Sequence, residues 1–131
     1  MDRTDAAHNA PQSRRGLSAR GAALVCLDDP RTEYATMLIL QELGLSVDLA
    51  ADPGSALRWA RHARYEVLLV GGREARAQSL ALSLRGASPD SQVVLLDDAP
   101  GGLDDLAAFG IDVLAPPVEV NALMRVLWPE D

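Results

Sequence analysis

A chain of 131 residues with 48% hydrophobic side chains has the size of one domain and enough apolar surface to bury a core. Its formal charge of −7 and pI near 4.7 argue against a nucleic-acid surface, which needs clustered positive charge. No apolar run nears the roughly 18–20 residues of a membrane span, and all 12 basic residues are arginine, with no lysine anywhere.

Residues 1–20 hold Asp2, Asp5 and four arginines (Arg3, Arg14, Arg15, Arg20) among Ser, Asn and Pro. So little apolar surface predicts a disordered tail, with a single domain over 21–131. Arg14-Arg15 reads either as a docking element or as part of a solvated leader. The segment lacks the apolar stretch of a secretory signal, and the single cysteine, Cys26, has no internal disulfide partner. Both point to a cytoplasmic protein.

From Gly21 the chain alternates between strand and helix signals. Ala22–Leu27 is a short apolar run stopped by Asp28-Asp29-Pro30, as for a strand buried on both faces. Thr32–Leu43 has helical length, with Tyr34, Met37, Leu38 and Leu40 as its expected apolar face and Gly44 as its stop. Residues 46–50 alternate as an edge strand would. Asp52-Pro53 is an N-cap followed by a first-turn proline, and Ala56, Trp59, Ala60 and Ala63 then recur at helical spacing. Trp59 is expected at the core boundary.

Tyr65–Gly72 reads as a buried strand running into a glycine turn. The stripe Ala77, Leu80, Ala81, Leu84 marks the next helix, ended at Gly86. Gln92–Leu96 is a fourth strand closed by Asp97-Asp98. A short helix follows over Leu103–Phe109. Ile111–Ala115 is a fifth strand before Pro116-Pro117, and Val120, Leu123, Met124 and Leu127 stripe the last helix. Five strands alternating with five helices predict an α/β flavodoxin-like, doubly wound parallel sheet in the order 2-1-3-4-5. Ligands of such a sheet sit outside the carboxyl ends of its strands. That edge is expected to present Asp28, Asp29, Asp97 and Asp98 around a floor of Gly71 and Gly72, with Arg73 beside them.

Several pieces now fall in a telling order. Leu27-Asp28-Asp29-Pro30 follows the first strand, Ala56-Leu57 lies in the second helix, and Tyr65-Glu66-Val67-Leu68-Leu69 enters the third strand. Ser88-Pro89-Asp90 precedes the fourth strand, Phe109-Gly110-Ile111-Asp112 precedes the fifth, and Pro117 follows it. In order and spacing, Ala22 to Trp128 resembles the receiver domains of two-component response regulators. The resemblance implies a phosphoryl-accepting aspartate at the end of the third strand and a magnesium ion held by acids after the first. It also implies a Ser or Thr after the fourth strand and a Lys after the fifth. Position by position, Gly71 stands for the acceptor, Asp97 for the hydroxyl and Pro116 for the lysine. The acidic pair maps onto Leu27 and Asp28, with Asp29 adjacent. Pro117 matches a proline that receivers hold in a cis bond.

Phosphotransfer to protein needs a carboxylate nucleophile and positive charge on the developing anion. Neither residue type stands where the resemblance requires it, so the chain reads as a degenerate pseudo-receiver. The expected function is a phosphorylation-independent, non-enzymatic signalling module acting through protein contacts, with no cofactor. A homodimer or partner complex is expected through the surface of the fourth helix, fifth strand and last helix, where Met124, Val126 and Trp128 are candidates. Trp128 folding back over the sheet stays an open alternative.

A second reading makes the four aspartates a sensor of a divalent cation or small ligand, with Asp28 and Asp29 as candidate metal ligands. Against it stands the ordinary role of such residues as helix caps. Arg73 is a candidate substitute cation, or a solvated side chain. Cys26 ends a strand as a phosphocysteine would, but the acids that follow it quench a thiol, so a buried structural role is expected.

Overall fold

The computed structural model describes residues 21–72, 74–97, 106, 108–115 and 118–128. Five strands form one sheet: β1 Ala22–Cys26, β2 Ser46–Leu49, β3 Val67–Gly71, β4 Gln92–Leu96 and β5 Ile111–Leu114. Four helices are described in full: α1 Pro30–Glu42, α2 Pro53–His62, α3 Glu74–Ala87 and α4 Val120–Leu127. The sheet order is β2-β1-β3-β4-β5 and every pairing is parallel, as the alternation predicts. The expected helix over 103–109 and the tail over 1–20 lie largely or wholly outside the described residues.

Two apolar layers sandwich the sheet because alternate strand residues face opposite ways. Leu24, Cys26, Leu68, Val70, Val93 and Leu95 meet α2 and α3 on one face. Ala23, Val25, Val67, Leu69, Val94 and Leu96 meet α1 and α4 on the other. The central strands are buried on both sides, and β2 takes the edge that its alternation suggested. Trp59, 9% exposed, lies within the first layer.

Local chemistry sets the helix starts. The carboxylate of Asp29 accepts the Thr32 backbone N–H at 3.2 Å and opens α1. That of Asp52 accepts the Ser55 N–H at 2.8 Å and opens α2. Each thereby satisfies one of the donors that a helix start leaves without an intrahelical partner.

Three expectations change. The core face of α1 carries Thr36 and Leu40, flanked by Ile39 and Leu43, whereas Tyr34 and Leu38 are exposed. The third strand begins at Val67: Glu66 faces solvent, and Tyr65 is buried with its hydroxyl donating to Asp48 Oδ2 at 2.7 Å. Gly86 does not end α3 but lies in its last turn.

At the amino edge, Arg85 ties the loop after α3 to the approach of β5. Its Nη2 donates to the carbonyls of Ser88 at 3.2 Å, Ser91 at 2.7 Å and Pro89, and its Nη1 to that of Gly110 at 3.5 Å. Ser91 in turn donates from Oγ to the Tyr65 carbonyl at 2.6 Å.

Candidate functional site

The carboxyl ends of β1, β3 and β4 meet where the resemblance places phosphoryl chemistry. Gly71 closes β3, level with Leu96 of β4. A Cβ at Gly71 would stand 2.8 Å from Leu27 Cδ2 and 3.1 Å from both the Cβ and the carbonyl oxygen of Leu96. A side chain at the acceptor position would have to push the tip of Leu27 aside and press on Leu96. Leu27, at the position of the first family acid, reaches over Gly71 and lies against the α1/α4 core layer. Both departures from the family pattern belong to one apolar contact.

Gly72 follows with a φ of +146°, a backbone conformation that favours glycine. The Asp28 carboxylate lies over it, so a Cβ at Gly72 would come within 3.1 Å of Oδ2. Asp28 is exposed. Asp29 instead turns into α1, where its carboxylate also accepts from Thr32 Oγ1 at 2.5 Å. That hydroxyl and the Thr32 N–H hold the Asp29 carboxyl below its ordinary value.

Asp97 is buried, 6% exposed, and its backbone N–H donates to the Leu114 carbonyl at 3.0 Å. Arg73, Asp98, Pro116 and Pro117 lie outside the described residues. Among the described residues, no three His, Cys, Asp or Glu side chains gather where a metal ion would sit. With Leu27 in an acid's place and Asp29 held as a cap, the described residues do not fit the magnesium site of a receiver.

Cys26 is free and buried. Burial, then the charges of Glu33, Asp52 and Asp28, push its thiol up to about 11. The thiolate needed for phosphocysteine chemistry is thus disfavoured at neutral pH. Glu33 and Arg76 were not among the residues singled out from the sequence. Glu33 sits in the first turn of α1; burial raises its carboxyl above the ordinary value, against the lowering effect of the Leu27 backbone N–H. Arg76 sits near the start of α3, three residues after Arg73 in the sequence, and that spacing is the signal that would have found it.

Between β1, the β2–α2 connection and α3 a cleft of about 180 Å³ opens, lined by Leu27, Asp28, Asp52, Arg76, Ala77 and Leu80, with Gly71 and Gly72 also in its wall. On α4, Met124 is 42% exposed. Val126, expected outside the core stripe, is partly buried against the α1/α4 layer, and Trp128 packs there beside it.

No protein-family model matches the sequence, and no curated protein matches it. Solved structures do. A CheY-like response regulator receiver domain from Methylobacillus flagellatus is 21% identical with a TM-score of 0.70, over 82% of this chain and 95% of that one. The chain has the receiver fold.

The receiver domain of a sensor histidine kinase from Pseudomonas aeruginosa, solved with a magnesium ion coordinated in its active-site cleft, is 25% identical with a TM-score of 0.64. That match covers 82% of this chain and 94% of the other. A response regulator from Burkholderia pseudomallei, solved with a phosphorylated aspartic acid, a calcium ion and citrate, is 21% identical with a TM-score of 0.65. There the match covers 81% of this chain and 66% of the other, so this receiver fold spans just under two thirds of that protein. No helix among the described residues is long and apolar enough to cross a membrane.

Proposed function

We propose that this chain is a receiver-like signalling module, a pseudo-receiver that works through protein contacts and without phosphorylation. One observation carries the reading: Leu27 and Leu96 fill the space in which a side chain at position 71 would stand. Phosphoryl transfer to an aspartate needs a nucleophilic carboxylate there, open to solvent and facing a metal or a cation. An apolar contact offers none of these. The module is non-enzymatic and cytoplasmic on this reading, and its output is a surface. The face built from β5 and α4 is the candidate, with Met124 at its exposed centre and Val126 and Trp128 supporting the helix from beneath.

The divalent-cation reading of the acidic edge has no specific observation in its favour. Asp29 is held by Thr32, and Asp28 is left without a second acid from position 27.

Incubation of the intact chain with acetyl phosphate and magnesium, followed by intact mass, tests the proposal. The expected spectrum shows the unmodified mass alone. An acid-labile phosphoryl adduct would overturn it.

A further inference from the structure

The cleft beside the lost acceptor position has a chemistry of its own. It opens at the carboxyl ends of β1 and β3, the neighbouring central strands where the chain order reverses across the sheet. Sheets of this kind take ligands at that switch point. Its volume of about 180 Å³ is close to that of cavities of about 150 Å³ that take a benzene, which suits a branched aliphatic group. Leu27, Ala77 and Leu80 give it apolar walls.

Two opposite charges line the same cleft. Asp28 and Arg76 are both exposed, and neither makes an ion pair or side-chain hydrogen bond with the other or with any described residue. The third charged group there, Asp52, already accepts the Ser55 N–H as a helix cap. A neutral ligand would leave both free charges without a partner, and a ligand of one sign would leave one. A ligand carrying both would satisfy each, because a guanidinium grips a carboxylate through two parallel N–H bonds and an aspartate pairs with an ammonium.

We propose that this cleft binds a small zwitterion with an aliphatic body, such as a branched-chain amino acid, its ammonium on Asp28 and its carboxylate on Arg76. Asp28 and Asp52 both line the cleft, on the side of β1 and the β2–α2 connection, and Arg76 lines it from α3, so the acidic wall stands across from the basic one. The proposal goes beyond the phosphorylation-independent reading and does not rest on it. It would supply a chemical input where the phosphoryl group is absent.

The test is a ¹⁵N-resolved titration of the intact chain with leucine. The expected result is saturable shifts at Gly72 and Ala77, with isoamylamine and 4-methylpentanoate, which keep one charge each, at least about tenfold weaker. Asp28→Asn and Arg76→Gln are each expected to weaken leucine about tenfold with unchanged melting temperature. 6-Aminohexanoate, tested alongside, sets the charge spacing: tighter binding than leucine supports a zwitterion with separated charges, weaker binding supports an α-amino acid. Absence of saturable shifts with either zwitterion up to about 50 mM would overturn the proposal. So would equal binding of the singly charged analogues, or undiminished binding by both variants. None of these results bears on the acetyl phosphate experiment, so the two readings fail separately.

Discussion

Gly71 is held small by its neighbours. A missing carboxylate at the end of β3 leaves open whether the site is vacant or filled, and the Leu27 and Leu96 contacts decide for filled. Restoring the acid alone is therefore expected to fail. Gly71→Asp forces side-chain atoms into Leu27 and the Leu96 backbone, and overpacking of this kind costs about 1–3 kcal/mol. Urea unfolding should report that loss, and the variant should still take no phosphoryl group from acetyl phosphate. Adding Leu27→Ala should recover part of the stability, because the nearest clash is with Leu27 Cδ2. The absence of chemistry at position 71 was legible in the sequence because it needs only residue identity. The occupation of the space was not, since it joins residues from three separate strands or their ends. The fate of the aspartates divided in the same way. Asp29 and Asp52 carry cap signals that sequence displays, whereas the lie of Asp28 over Gly72 depends on how two loops meet.

Element boundaries followed largely from short-range signals, and α1 shows where such signals run out. Its sequence carries apolar residues around most of its circumference. Tyr34, Met37 and Leu38 make one stripe, and Ile39, Leu40 and Leu43 with Thr36 make another. Periodicity detects a stripe, but with two available it does not say which one meets the sheet. The second stripe is buried, and Thr36 reaches 0% exposure there. At the other end of the molecule Arg85 holds the α3–β4 connection and the approach to β5 through backbone carbonyls alone. Carbonyl partners leave no trace in side-chain patterning, so this clamp was invisible beforehand. Arg85→Met keeps the stem and removes the donors. A hydrogen bond to a charged group contributes about 1.5–3 kcal/mol net; these bonds are exposed or part-buried, so the variant should lose about 2 kcal/mol in all in urea unfolding. A variant as stable as the parent would show that solvent replaces the clamp freely.

The whole molecule divides into a braced amino edge and a carboxyl edge built from caps, glycines and a cleft. Strand order, parallel pairing and the two-faced core were legible because buried apolar runs alternating with helical segments admit few topologies. On the proposed reading, function at this scale turns on surface. Val120, 41% exposed, and Met124, 42% exposed, lie one turn apart on α4, and Phe109 before β5 is 58% exposed. If these serve self-association, a charge at Met124 disrupts it by placing an unpaired carboxylate in the contact. Sedimentation of the parent should then show a dimer that Met124→Glu converts to monomer with no change in melting. A parent that sediments as a monomer at high concentration would rule out self-association through this face.

The contact of Leu27 with Gly71 also bears on how such a chain can change over generations. Acids at both positions would be a different packing from the present pair, and neither acid fits by itself without a neighbour giving way. An aspartate at 71 meets Leu27, and an aspartate at 27 alone would meet the apolar neighbours that now enclose the leucine. Each first step lowers stability without regaining chemistry, and both together still leave Asp97 and Pro116 where the resemblance requires a hydroxyl and a lysine. The packing works as a ratchet: it resists the exchange of either residue while the other stays.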